Sequence, residues 1–524
     1  MSAELTSTRA GRREWTGLAV LLLALLLVSM DVSVLYFAVP FISHDLEPSS
    51  TQQLWIFDIY GFVLAGTLIT MGSLGDRIGR RRLLLVGAAA FGLTSIAAAY
   101  APSAGALIGA RAVLGISGAT LMPSTLALIR NMFHDEKQRG TAIAIWTATL
   151  TLGISVGPIL SGFLLEHFWW GSVFLINAPV MVLLLILAPA LVPEFRHPGR
   201  GRFDLLSAVL SLAAVLPVIY GIKELAAHGP SGPRFGSIVV GLVIGLIFLR
   251  RQQTRPDPMI DLAIFRRGAF SVSLVLNLIA MFALVGFAIF TTQYLQLVRG
   301  MAPLEAALWS LVPSVFVGSA APLASVLVKR GVPRWPIMSA GFLIAAVGFL
   351  GLAQVRAESA LWFVIVAAGL EAAGLVVVMS LGTELVMTAV APERAGSASA
   401  LQETGSEFGG ALGMALLGSV GTAVYRSGVL AGLPSGVPAP AASTARETLG
   451  GALAVADQLP APLSSQVLVV ARDAFLDGMH AAAIGAAALM AAGAVLSMVL
   501  LRRVRPSGSA GQPAAPAPQP VSVT

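Results

Sequence analysis

Five carboxylates stand in stretches otherwise suited to the interior of a lipid bilayer: Asp31, Asp58, Glu371, Glu403 and Glu407. Glu403 and Glu407 lie four residues apart, so a helix through Ala395–Ser419 presents both carboxyls on one face. A charged residue at mid-bilayer costs about 2.5–3.5 kcal/mol on insertion scales, and two on one helix need a use. One use is structural, the lining of a wet groove beside a fixed cation. The other is chemical. Sheltered from water, a carboxyl can hold a proton and release it when a cation or water arrives, so the pair can bind a proton, a cationic ligand, or both in turn.

The remaining acids lie at other depths. At 1.5 Å per residue Asp31 is about 23 Å along the first apolar segment, past its midpoint, and Glu403 and Glu407 are about 13 and 18 Å into theirs. Asp58 falls early in the second segment and Glu371 near the middle of the twelfth. Acids at different depths suit a path through the protein. Tyr36, Trp55, Tyr60, Trp146 and Trp309 are predicted in or beside the same segments, and ring faces attract organic ammonium ions. Aromatics also pack and form interfacial belts, so ring chemistry by itself does not decide their use. Arg111 is placed inside a span and must find acids or carbonyls; a lock to the Asp76 region is expected.

These residues need a scaffold of membrane helices. The chain has 524 residues, 56% hydrophobic and only 11% charged, with a mean hydropathy of +0.84. Soluble domains carry about 25% charge, so an all-α polytopic membrane protein is expected. There is no cysteine, hence no disulfide or thiolate metal site, and six scattered histidines show no metal-ligand spacing. Fourteen apolar segments of roughly 20 residues recur, among them 204–224, 235–250 and 478–501. With the N-terminus inside, 25 of the 33 Lys and Arg fall on one side and seven on the other, Lys223 and Arg234 among the seven, with Arg111 alone inside a span. That bias predicts cytoplasmic N- and C-termini.

The expected organisation is a cytoplasmic tail, 1–15, and a six-helix bundle, 16–192. Two inserted helices, 204–250, follow, then a second six-helix bundle, 268–501, and a disordered Pro/Ala/Gly-rich tail, 506–524. An external loop, 426–477, should carry a helical hairpin, Ala442–Leu459 and Ser464–Asp477, around Pro460 and Pro462. The halves echo each other: aligned on Gly140 and Gly396, Gly153 falls on Gly409 and Gly157 on Gly413. Repeated halves mark many secondary transporters.

Three further motifs carry a resemblance. Gly72-Ser-Leu-Gly75-Asp76-Arg77-Ile-Gly79-Arg80-Arg81-Arg82 permits a tight turn with a charge lock between Asp76 and the arginines. Leu107-Ile-Gly-Ala-Arg111 continues to Gly115 and Gly118, and Gly153-Ile-Ser-Val-Gly157-Pro158 continues to Gly162. Glycines there allow close helix approach, and Pro158 bends its helix. Together they resemble the signature loop, fourth-helix motif and fifth-helix antiporter motif of the major facilitator superfamily. With Met30-Asp31 through Pro40, Trp55 through Tyr60 and the two-glutamate helix, the chain is most similar to the fourteen-helix drug:proton antiporters, the quaternary ammonium compound exporters of the QacA and SmvA type. Two departures stand out: Lys329-Arg330 through Arg334 keeps only the charge of the signature loop, and Glu371 lies in helix twelve where some relatives use an acid in helix ten.

The resemblance implies the major facilitator fold and proton-coupled efflux of quaternary ammonium antiseptics, dyes and biguanides through a multi-pass bacterial plasma-membrane protein. It implies no enzyme chemistry, and no cofactor beyond the proton gradient. Partners are small cationic substrates, protons and the lipid bilayer, with no nucleic acid, and a monomer is expected. The alternatives are export of an antibiotic, amphiphile or lipid by the same fold, or a non-transporting receptor or scaffold. No Gly-x-x-x-x-Gly-Lys-Ser/Thr loop is present, so ATP hydrolysis is not expected.

Overall fold

In lipid a backbone finds no partner but itself, and long apolar runs therefore fold as helices. The structure, a computed structural model, describes residues 10–195, 204–255, 265, 268–389 and 395–502. Among them are 14 helices long and apolar enough to cross a membrane. The first five are Arg12–Leu46, Ser50–Ile78, Arg80–Ala99, Ala104–Met132 and Glu136–His167. The sixth is broken into Ser172–Leu175 and Asn177–Leu191. The inserted pair are Leu205–His228 and Gly232–Thr254, the latter longer at both ends than the apolar run 235–250. The ninth, Gly268–Gln293, ends in a π turn, Tyr294–Val298, and the tenth is broken at Val312 into Pro303–Leu311 and Pro313–Lys329. Arg334–Leu352, Leu361–Thr388 and Ala395–Gly432 follow. The tail 506–524 lies outside the described residues.

The last span corrects an expectation. It runs Ala461–Leu496 and on to Leu501, so Ser464–Asp477 is its extension and no separate helix. Pro460 and Pro462 sit at the start, where a missing N–H costs nothing because the first-turn donors are unpaired anyway. The hairpin is instead Ala439–Glu447 with Leu449–Ala456.

Each bundle repeats one plan. The first span lies on the fifth, the second on the fourth, and the third on the fourth and sixth; likewise the ninth lies on the thirteenth, the tenth on the twelfth, and the eleventh on the twelfth and fourteenth. Lipid supplies no hydrophobic drive between helices, so close packing of small residues must do it. A Cβ on Gly153 would lie 2.9 Å from the Leu26 carbonyl, and one on Gly157 2.2 Å from Ser33 Oγ, both on the first span. Gly409 and Gly413 make the equivalent approach to the ninth, at Leu278 and Phe282. Pro158 lies inside the fifth helix.

The end of the molecule bearing Asp76–Arg82 is called the arginine-rich end below, and the other the hairpin end. At the hairpin end the fifth span packs on Pro303–Leu311, and Gly162 comes so close that a Cβ would lie 2.7 Å from Leu304 Cα. Past the break at Val312 the tenth span leans on the twelfth instead. The fifth and tenth spans thus meet at the hairpin end, while the second and thirteenth join the bundles along more of their length, from Leu54 against Gly418 to Ile69 beside Leu401.

Candidate functional site

Asp31 and Arg111 meet in the first bundle. Arg111 donates through Nη1 to Asp31 Oδ2 at 3.1 Å, and both side chains are buried. The guanidinium lies 5.2 Å from the Tyr60 ring centroid and 5.9 Å from that of Phe174, so rings replace the water it has lost. The expected lock between Arg111 and the Asp76 region is not formed. Gly72 faces Pro123, about 18 Å along the fourth span from Arg111 at 1.5 Å per residue, and Asp76 lies a turn further still. Asp76 pairs with Arg80 at 2.7 Å.

The signature loop is tied to its own bundle. Gly79 has φ +112°, a conformation open to glycine, and a Cβ there would strike the Glu194 carboxylate. Glu194 accepts from the backbone N–H groups of Arg81 and Arg82, and Arg81 donates to the carbonyls of Pro189 and Val192. Gly75 is buried beside Arg80, and Arg77 is exposed.

Asp58 is also occupied. Lys223 Nζ lies 2.6 Å from Asp58 Oδ2 and 4.0 Å from the centroid of Trp55, and neither charged side chain is exposed at all. Two expectations fall here: Lys223 is no outer-loop residue, and Arg111 is not the one base buried in a span. The seventh helix continues past its apolar run to His228 and closes on Gly229, whose N–H bonds the Leu225 carbonyl. With the helix running a turn beyond 204–224, Lys223 lies inside its end and is buried against the second span. The available signal was Trp55 and Asp58, three apart on one helix face, which form an anionic and aromatic pocket in need of a cation.

Glu403 and Glu407 have no such partner. Both are half-buried, and neither carboxylate is hydrogen-bonded or ion-paired among the described residues. Tyr36 lies within electrostatic reach of Asp58, Glu407 and Arg111, and Tyr60 of Asp31, Glu407 and Arg111. Gly61, next to Tyr60, faces Ala411 of the thirteenth span, one turn from Glu407. Tyr36 stacks on Phe57 at 5.6 Å and its hydroxyl donates to the Val285 carbonyl of the ninth span at 3.5 Å. Beside them the second, seventh and thirteenth spans share a buried cluster of Phe62, Ile219, Ala411 and Ala415, with Trp55 and Phe408 against it.

Other candidates stand apart. Glu371 is buried in the second bundle with Oε1 unpartnered, its backbone against Gly348 of the eleventh span, and it makes no polar contact with the other four acids among the described residues. Trp146 donates from its indole to Thr125 Oγ1 at 3.1 Å, which fixes the ring to the fourth span. Trp309 is 40% exposed on the tenth.

A clasp at the hairpin end was not foreseen. Glu447 accepts from both the backbone N–H and the hydroxyl of Ser50 at 2.8 Å and pairs with Arg426. Arg426 also donates to the Ser50 hydroxyl at 3.0 Å. The hairpin, the second span and the thirteenth are thereby joined. Burial opposes the charge on Glu447, but the Ser50 hydrogen bonds and the Arg426 guanidinium outweigh it and hold the carboxyl below its usual range.

A family model described as the Major Facilitator Superfamily matches residues 21–414. The multidrug efflux pump LfrA of Mycolicibacterium smegmatis is 44% identical over 498 residues, covering 95% of this chain and 98% of its own. The methyl viologen resistance protein SmvA of Salmonella typhimurium is 35% identical over 484 residues, covering 91% and 96%. Among solved structures, a bacterial homologue of the human lysosomal transporter Spinster, inward-facing and unoccupied, superposes with a TM-score of 0.66 at 17% identity, covering 94% and 98%. That likeness is one of fold.

Proposed function

We propose that this chain, which belongs to the Major Facilitator Superfamily, exports lipophilic cations from the cytoplasm across the bacterial plasma membrane and admits protons in return. The observation that carries the proposal is the unpaired state of Glu403 and Glu407. Asp31 and Asp58 have resident bases, whereas these two acids, one turn apart, have none among the described residues. Two adjacent ionised carboxylates repel each other in a low-dielectric site, and a proton or a cationic guest relieves that repulsion. Exclusive occupancy by one or the other is the basis of exchange.

The relatives support this choice of cargo. One is named a multidrug efflux pump, and another a methyl viologen resistance protein, methyl viologen being a flat aromatic dication. The positive bias of the arginine-rich end supports a cytoplasmic setting for that end. The packing of the fifth span on the hairpin-end half of the tenth fits a state in which these two spans part toward the arginine-rich end.

Everted membrane vesicles test the reading. Energised with a proton gradient, they should accumulate ethidium, and a protonophore should abolish the accumulation. Equal uptake with and without the protonophore overturns proton coupling, and a neutral cargo would be moved undiminished after Glu403→Gln and Glu407→Gln.

A further inference from the structure

The pocket of Asp58 and Trp55 already contains a cation of the kind it recognises. An organic ammonium is bound by a carboxylate on one side and a ring face on the other, and the Lys223 ammonium sits in that setting, 2.6 Å from oxygen and 4.0 Å from the ring centroid. We propose that Lys223 is a tethered surrogate for the cargo: it fills the Asp58–Trp55 subsite while the transporter is empty, and an incoming lipophilic cation displaces it. This deepens the efflux reading above and rests on it.

Three observations carry the exchange. First, the pair is under-satisfied. Asp58 Oδ1 accepts no hydrogen bond, and Lys223 Nζ has no polar partner besides Asp58 Oδ2 among the described residues, although the pair lies in full burial. A buried ion pair offsets its desolvation fully only when such spare groups are satisfied, so a second cation that takes over the Asp58 carboxylate gives up no other hydrogen bond of this pair. Second, it has somewhere to go. Lys223 is five residues from the end of its helix at His228, about 7.5 Å along the axis, and a flexible four-carbon stem can carry its head toward the aqueous end. Third, the lysine belongs to neither six-helix bundle. It comes from the inserted seventh helix, which packs on the second and thirteenth spans through Ile219. The insert can therefore release its cation without unpacking either bundle.

The exchange also conserves charge. One cation leaves Asp58 as another arrives, so no proton need bind or leave there. Exchange of cargo against protons remains with Glu403 and Glu407, and the Asp58 subsite never stands as a bare buried anion. A neutral cargo gains nothing from displacing the lysine, which gives the site a preference for cations.

The experiment uses the full-length protein in nanodiscs, with ethidium as probe. The chain has three lysines, Lys137, Lys223 and Lys329, so amine labelling read by mass spectrometry resolves each one. In the wild type Lys223 should resist acetylation without ethidium and become reactive at saturating ethidium. Lys223 that stays shielded at saturation overturns the proposal. Lys223→Met removes the competitor, and an apparent Kd is raised by the fraction of sites that are self-occupied; about tenfold tighter ethidium binding is expected if about a tenth of sites are open. Lys223→Arg, which keeps a tethered cation, should show no such gain. Unchanged or weaker binding in a folded Lys223→Met overturns the proposal while export stands. Should that variant not fold, the labelling of the wild type decides alone. Failure of wild-type protein to bind ethidium overturns both readings.

Discussion

Arg111 on the fourth span donates to Asp31 on the first across 3.1 Å, with the guanidinium only 1% exposed. Breaking such a pair strands the survivor's charge, at a cost of about 3–5 kcal/mol, whereas replacing both partners by uncharged groups is often near neutral. Asp31→Asn and Arg111→Met should each lower the thermal midpoint of the purified protein strongly, and the double variant should recover much of the loss. Single variants that melt with the wild type would show the pair to be exposed or formed only in part.

Glu403 and Glu407 should behave in the opposite way. Without partners to strand, Glu403→Gln and Glu407→Gln should melt near the wild type. Their ethidium accumulation in energised vesicles should nonetheless fall at least about tenfold, equivalent to about 1.4 kcal/mol on the transport barrier. Stable variants with full accumulation would remove these two acids from the coupling mechanism.

Gly162 separates packing from chemistry. A Cβ there would meet the backbone of Leu304 and Pro303 at 2.7–3.0 Å, and backbone cannot swing aside as a side-chain tip can. Gly162→Ala should part the fifth and tenth spans at the hairpin end. The chain has no cysteine, so Ile289→Cys, in the small pocket beneath Glu447, offers a clean reporter. Its labelling by a membrane-impermeant maleimide should rise in the Gly162→Ala background and stay unchanged with Gly140→Ala, where a Cβ would meet nothing within 4 Å.

The clasp gives a pH dependence of definite sign. Glu447 is held below its usual range by Ser50 and Arg426, against the pull of burial. The unfolded hairpin binds the proton more tightly, so the stabilisation is complete above the ordinary glutamate value, about 4.3, and is lost as pH falls through the lower value of the folded clasp. Proteolysis within 433–448 by an acid-tolerant protease should therefore accelerate as pH drops below about 4. Glu447→Gln should be cleaved faster at neutral pH and lose that dependence. A hairpin equally resistant at both pH values, in wild type and variant alike, would show that packing alone secures it.

Much of this protein was legible in its residues because lipid simplifies the problem. A backbone with no water to bond must be helical, so apolar run length alone yields the fourteen spans. Glycine spacing is almost as direct: Gly153 and Gly157, and their counterparts Gly409 and Gly413, mark helix contacts because a Cβ is forbidden where backbones touch. The ends of elements were harder to read. Lys223 lies at the end of the expected segment 204–224 and the charge count assigns it to the outer side, whereas the helix runs on to His228 and buries it against Asp58. The breaks in the sixth and tenth spans are likewise invisible to an apolar count.

By itself, then, the sequence determined the class of scaffold and the presence of costly acids within it, since both follow from the price of charge and of unpaired backbone in lipid. Only the tertiary structure decided which acids are occupied. Partner choice depends on helix rotation and depth, and these are set by packing between spans far apart in the chain. Arg111 goes to Asp31 rather than to the Asp76 region, and Lys223 goes to Asp58. Glu403 and Glu407 are left without a base among the described residues, available to a proton or a guest.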